Sequence, residues 1–340
     1  MKPDSKKCLT IFVCEFITAG GLNRVELPQS LVQEGSLMRD ALLRDLSLLP
    51  NIQIVTTQDA RLSSPLLGSV AIGHNEDVIH IWQNLLKDCD AAFIIAPETD
   101  GQLASLVALV NNAGVLHLGC GLSAVKLASS KYQTYQQLKK AGINVIPSYR
   151  FDKLPIENAV QPWVIKPDDG AGCAGTICLN SLVEVRQYLA SKVQSQSIDN
   201  QIIQPFIKGV PASISMLCKA GQAWVLGCNL QKITLINHKF VYHGSVVNGL
   251  NMHYSAFNEI AQKIAQAIPD LAGYVGVDVM LNGDEITVLE INPRLTSSYV
   301  GLHDSTGLNV SKLILDLFFN SQLVMPAINF MHHQAVEITL

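Results

Sequence analysis

The heptapeptide VLEINPR, residues 288–294, gathers a carboxylate, an amide and a guanidinium at the end of a run that otherwise reads as a buried strand. A strand sends alternate side chains to opposite faces. Glu290 and Asn292 are therefore expected on one face, with Leu289 and Ile291 on the other. Two oxygen ligands on one strand face suit a hard cation. Pro293 ends the ladder because it has no N–H to donate, and Arg294 follows where the chain leaves the sheet.

A second stretch, GAGCAG at residues 170–175, invites three readings. Its spacing satisfies G-x-G-x-x-G, but the dinucleotide fingerprint needs a strand before it and a helix after it. Here the short strand TICLN follows, and a helix starts only near Ser181, so the loop joins two strands. It is no P-loop either, because Thr176 stands where lysine is required. What remains is a glycine-rich hairpin lid whose backbone N–H groups can close over phosphates, or an ordinary flexible turn. Two lysines favour the lid. Lys166 ends the apolar strand WVIKP, where an unpaired charge is costly. Lys131 opens a helix, the wrong end for a cation by the helix dipole. Two misplaced lysines beside a glycine lid point to a triphosphate site.

These groups need elements to hold them. The first 120 residues alternate strand and helix signals. LTIFVCEF, IQIVTT and AAFIIAP read as strands, the last an almost continuous apolar run typical of a parallel sheet covered on both faces. Leu37, Met38, Ala41, Leu42, Leu46 and Leu49 recur at helical spacing, and DGQLASLVALVNNAG reads as a further helix capped by Gly114. The result is a βαβ-type open sheet. Ser129-Ser130 looks like the N-cap of a helix running to Gly142. From about residue 145 strands dominate, with helices near 181–193, 255–267 and 309–319, which indicates an α+β portion after an α/β portion.

The bulk numbers agree. A chain of 340 residues is long enough for two or three domains. It carries 48% hydrophobic residues and a net charge of −4, without a long basic run, so nucleic acid is an unexpected partner. Glu15 interrupts the early apolar stretch, so Leu9 to Phe16 is read as a strand and not a signal peptide. No run suits a membrane span. Eight cysteines form no C-x-x-C pair, which fits buried thiols in a cytoplasmic protein. His332 and His333 read as part of a solvated tail.

A lysine opening a helix, VIKP, the glycine-rich lid, Q-x-F-I-x-G, GVDVML and LEINPR occur in that order. The ordered set, from about residue 125 to 300, resembles the ATP-grasp ligases. The resemblance implies an N-terminal open-sheet domain (residues 1–125), a small lobe with the lid (126–205) and a large lobe with the metal and phosphate site (206–340). It implies that Lys131 and Lys166 contact the α- and β-phosphates of ATP under a lid containing Gly170, Gly172 and Gly175. Gln204, Phe206 and Ile207 would form the adenine hinge. Gln204 and Pro211 stand where many members have glutamate. Asp278, Glu290 and Asn292 would hold Mg²⁺, with Mn²⁺ as a substitute, and Arg294 would sit beside the transferred phosphoryl group. For Asp278 to share the face of Glu290, a three-residue loop, 282–284, with a bulge is expected, pairing Asp278 with Val288; a two-residue Asn282-Gly283 turn would pair it with Thr287.

The resemblance implies an acyl-phosphate-forming carboxylate–amine ligase that takes small-molecule substrates. CEFITAGG, EGSLMRDALLRD and APETDGQL further resemble the tyramine–L-glutamate ligases of methanofuran biosynthesis. Arg39, Arg294 and Lys232 are then candidates for a substrate carboxylate, Glu15 and Glu98 for an ammonium, and Tyr299 and His303 for the substrate site. Ligation of another amino acid and amine, a non-catalytic nucleotide-binding module and a hydride-transfer enzyme are the competing readings. A homodimer is the default assembly.

Overall fold

The computed structural model describes residues 8–63, 66–155, 161–170, 172–192, 200–283, 285–320 and 334–340. His332, His333, Asp284 and most of the polar connectors expected at 153–161 and 195–200 lie outside the described residues.

The first sheet is parallel. It contains β1 (Leu9–Glu15), β2 (Ile52–Asp59), β3 (Val70–Ile72), β4 (Ala91–Ile95) and β5 (Leu116–His117), in the order β3-β2-β1-β4-β5. Alternation sorts its central strands into two cores. Ile11, Val13, Phe93 and Ile95 face Met38, Leu42 and Leu46 of α1 (Gln29–Ser47). Phe12, Cys14 and Ile94 face the opposite layer, where α2 (Val78–Leu86) supplies Trp82 and α3 (Gln102–Asn112) supplies Leu103, Leu106 and Val110. A strand covered on both faces needs apolar residues at every position, and all five residues of β4 are buried. The strands β3 and β5 are too short to show a period in the sequence, whereas α2 does carry one, with Trp82 and Leu86 four apart on its buried face.

Two helices, α4 (Leu122–Ser129) and α5 (Lys131–Lys140), lead to a second, largely antiparallel sheet. Ser130 caps α5 by accepting from the Gln133 N–H at 3.1 Å. The strands β6 (Trp163–Pro167), β7 (Ile177–Leu179), β8 (Gln201–Pro205), β9 (Val210–Lys219), β10 (Gln222–Ile236), β11 (Lys239–Val247), β12 (Gly273–Asn282) and β13 (Glu285–Asn292) run in the order β13-β12-β9-β10-β11-β7-β6-β8. The glycine-rich stretch connects β6 to β7, and α6 (Leu182–Lys192) follows. α7 (Tyr254–Ala267) covers the sheet's centre with Phe257, Ala261 and Ile264. α8 (Leu302–Thr306), α9 (Val310–Phe319) and β14 (Val336–Thr339), which pairs with β11, complete the described chain. Among the described residues no helix is long and apolar enough to cross a membrane.

The β12–β13 hairpin departs from expectation. Asn282 pairs with Glu285, so the connection is the two residues 283 and 284 and not a three-residue loop. Gly283 adopts φ 61°, as a tight hairpin turn demands. The register then shifts deeper in the ladder: Val279 faces Val288, but Asp278 faces Glu290. The bulge thus lies in the strand, and Leu289 is its extra residue. An inserted residue breaks the two-residue alternation. Leu289 consequently lines the same cavity as Glu290 and Asn292, where simple alternation had placed it on the opposite face with Ile291.

Candidate active site

The second sheet, the lid and Glu34 of α1 line a cavity of about 470 Å³. One end is charged. On β6, Val164 and Lys166 turn toward the cavity while Trp163 and Ile165 pack against α6 through Leu182, Val185 and Leu189. Lys166 Nζ lies 3.1 Å from Glu290 Oε2, and Lys131 Nζ lies 3.4 Å from the same oxygen. Lys131, buried in the first turn of α5, also donates to the Gly170 carbonyl at 2.6 Å. Burial works to raise the Glu290 carboxyl, but the two ammonium groups outweigh it and hold the group well below the usual carboxylate range. Its neighbour Asp278 moves the other way, raised by burial and then by the negative charge of Glu290. Asp278 accepts from Gln231 Nε2 at 2.8 Å and from Asn292 Nδ2 at 3.3 Å.

Asp278, Glu290 and Asn292 thus converge, as neighbouring strands dictate: Asp278 lies between Ser213 of β9 and Glu290 of β13. Gly276, opposite Asn292 in the ladder, leaves room for Thr296, since a Cβ there would come within 2.5 Å of it. Among the described residues no group of three or more His, Cys, Asp or Glu side chains could hold a metal by itself. Two carboxylates and an amide, all hard oxygen donors, nonetheless fit Mg²⁺, which takes few protein ligands and completes its shell with phosphate oxygens and water.

Arg294 is largely withdrawn from solvent, its side chain 11% exposed, and its guanidinium is bound on both sides. Its Nε and Nη2 donate to the two carboxylate oxygens of Glu98, each at 3.0 Å, and Nη1 donates to the Leu295 carbonyl at 3.0 Å. Glu98 therefore has both oxygens committed, unlike the free ammonium receptor suggested by its place after a strand end. Glu15 is committed too, accepting from the Thr18 N–H at 2.8 Å and the Thr18 hydroxyl at 2.7 Å. Lys232 pairs with Glu337, and Arg39 Nε with Asp40. Tyr299 and His303 both bond Asp45 of α1, at 2.8 and 3.0 Å, so they tie two parts of the core together and do not line the cavity.

Sequence reasoning passed over Glu34. This half-buried residue in the first half of α1 lines the cavity near Arg294, Ser297 and Ser298. Among the described residues its carboxylate has no hydrogen-bonded partner; burial raises its pKa, opposed by the Arg294 charge. Nothing in the local pattern marks it, since one acid on an amphipathic helix is ordinarily a solvated face.

The other end of the cavity is apolar. Ile146, Val164, Phe206, Ile207, Met280 and Leu289 line it. Phe206 stacks on Phe240 with ring centroids 6.4 Å apart. Gln204 is buried and donates to Ser148 Oγ at 2.8 Å. Of the three lid glycines, Gly172 lines the cavity, Gly170 supplies the carbonyl for Lys131, and Gly175 turns over Pro167 at φ 68°. Cys173, also in the lid, faces this charged end; burial and the nearby acids push its thiol up to about 11.

The model of the ATP-grasp domain matches residues 128–298, and that of the pre ATP-grasp 3 domain matches residues 52–125. A tyramine–L-glutamate ligase from Methanocaldococcus jannaschii is 27% identical over 322 residues, covering 92% of this chain and 90% of that protein. A D-alanine–D-alanine ligase from Fervidobacterium nodosum is 26% identical over 46% of this chain and 56% of its own length. Among solved structures, an ATP-grasp superfamily protein from Archaeoglobus fulgidus superposes with a TM-score of 0.70 at 25% identity, over 90% of this chain and 88% of that one. The fold is also that of the D-alanine–D-alanine ligase from Bacillus anthracis, with a TM-score of 0.63 at 16% identity, over 92% and 97% of the two chains.

Proposed function

The chain belongs to the ATP-grasp family and is an ATP-dependent ligase that forms a C–N bond; from that premise we propose that it joins the γ-carboxyl of glutamate to the amine of tyramine or a related aromatic amine, the ligation made in methanofuran-type cofactor biosynthesis. The observation that carries this reading is the convergence of Lys131, Lys166, Glu290, Asp278 and Arg294 at one end of a cavity whose other end is apolar. Likeness over nine-tenths of both chains to a tyramine–L-glutamate ligase supports the substrate pair.

A carboxylate resists attack by an amine until it is phosphorylated. The apolar end would take the adenine ring, which Phe206 and Ile207 flank, while Gln204 and its Ser148 partner define the polar edge. Lys131 and Lys166 would exchange their shared hold on Glu290 for the phosphates. Glu290, Asp278 and Asn292 would hold Mg²⁺, which when bound neutralises charge on the phosphate oxygens. Arg294, fixed by Glu98, stands where charge builds on the phosphoryl group in transfer. Glu34 is the carboxylate with unspent acceptors and would receive the ammonium of the amine substrate. The lid would keep water from the acyl phosphate until the amine attacks.

The test is ADP release with ATP and Mg²⁺, comparing glutamate plus tyramine against each alone, with product mass recorded. Expected is a condensed product, of glutamate plus tyramine less one water, only when both are present. ADP formation that ignores tyramine, or appears only with another carboxylate–amine pair, rejects the substrate assignment.

A further inference from the structure

The loop between β4 and α3 touches both jaws of the active site. Glu98 holds Arg294, which belongs to the segment after β13. One residue later the same loop reaches the root of the lid. The Asp100 N–H donates to Asp169 Oδ2 at 2.9 Å, and the Thr99 hydroxyl donates to the Asp169 carbonyl at 3.3 Å. Asp100 and Gly101 both adopt left-handed conformations, φ 54° and 68°, which turn the chain sharply at this point. The second oxygen of Asp169 accepts from Asn200 Nδ2 at 2.5 Å, beside β8. Its neighbour Asp168 is pinned separately, by Ser130 Oγ at 2.7 Å, the Tyr132 N–H at 2.8 Å and Arg150 Nη2 at 2.7 Å.

The loop is stiff on both sides. It leaves the fully buried strand β4 and enters a helix whose Leu103 N–H closes back on the Pro97 carbonyl at 3.0 Å. A short, stiff connection cannot move its two ends independently. We propose that residues 98–100 couple the lid to the phosphoryl clamp: Asp169 is the positioning residue of the lid, Glu98 is that of Arg294, and the loop makes the two positions one. The ligase therefore phosphorylates its carboxylate only with the lid seated, when water is kept from the product of that step. With the coupling broken, water replaces the amine as the attacking group; the acyl–phosphate bond is cleaved, returning the carboxylate and free phosphate. The inference needs the ligase chemistry of the family and is independent of which amine is used.

The measurement is hydrogen exchange of the lid peptide, residues 170–176, in the full-length protein with and without ATP and Mg²⁺, alongside ADP released per ligated product. Asp169→Asn keeps the side chain's size but can satisfy only one of its two donors. Lid exchange in the presence of nucleotide is expected to rise about tenfold, the order for losing one hydrogen bond to a charged group, with ADP release exceeding product. Glu98→Gln touches no atom of the lid, so its effect decides the matter: coupling requires lid exchange to rise in this variant also. Lid exchange at the wild-type level in Glu98→Gln, with only kcat reduced, overturns the proposal. Should Asp169→Asn fail to fold by thermal melting, Thr99→Val, which removes one hydroxyl from the same contact, replaces it with the same expected direction. The exchange arm needs only nucleotide, so it stands even if glutamate and tyramine prove to be the wrong pair.

Discussion

At one end of the cavity Lys131, Lys166, Glu290 and Asp278 are joined by ion pairs and shared burial; at the other, Ile146, Val164, Phe206, Ile207, Met280 and Leu289 offer apolar surface, with Gln204 and Lys208 beside it. The difference is one of coupling. Removing one member of a buried charge cluster strands the others, so each change costs more than a single contact. Removing a methyl group from an apolar wall loses only its own transfer energy and packing. The charged end should therefore be intolerant and chemically decisive, and the apolar end forgiving.

Glu290→Gln tests that contrast most severely. It leaves two lysines facing a neutral amide and removes a proposed metal ligand, and turnover is expected to fall on the order of 10²–10³-fold while circular dichroism remains that of a folded protein. Near-normal ADP release would remove Glu290 from the metal site. Next in size, Lys166→Ala should raise the KM for ATP about 10–100-fold, the range for losing charged hydrogen bonds to phosphate. An unchanged ATP dependence would dissolve the charged end as a phosphate site. Val164→Ala, on the same strand and the same face two residues earlier, should raise that KM by no more than about fivefold. If Val164→Ala matched Lys166→Ala, the two ends would not differ in kind.

A buried titratable group outside the cavity supplies the control. His117 on β5 is pushed down from 6.5 to about 4, by burial first, with its hydrogen bond to the Cys120 carbonyl partly offsetting. Its folded-state pKa lies below the unfolded value, so the unfolded chain binds more protons between those limits. Stability is then full above pH 6.5 and declines as the pH falls toward 4. The loss is about 3 kcal/mol. His117→Gln should flatten that decline in urea titrations at pH 7.5 and 4.5 and leave ADP release at pH 7.5 intact. A slope unchanged by the substitution would assign the acid sensitivity elsewhere.

Much of this architecture is legible in the sequence. The apolar run AAFIIAP marks β4 because burial on both faces suppresses alternation, and the displaced lysines mark the charged end because burial of charge needs a reason. The bulge at Leu289 was not readable in its true place: backbone register depends on the partner strand, and Leu is an ordinary strand residue. The pairing of Glu98 with Arg294 joins positions 196 apart in the chain, a contact that only the assembled fold brings about. Glu34 looks like any solvent-facing acid until the second sheet closes over it.

Helix α1 carries Glu34 into the cavity and, three turns further on, Asp45 into its contacts with Tyr299 and His303. At about 1.5 Å per residue these side chains are roughly 16 Å apart along the axis. The helix consequently behaves as a ruler clamped at one mark. Sliding it is not a route to a different amine, because any slide breaks the buried Asp45 carboxylate away from Tyr299 and His303. On the proposed reading, in which Glu34 receives the amine, change of substrate on this scaffold proceeds by exchanging the side chain at position 34 or its cavity neighbours, one residue at a time, with the frame left standing.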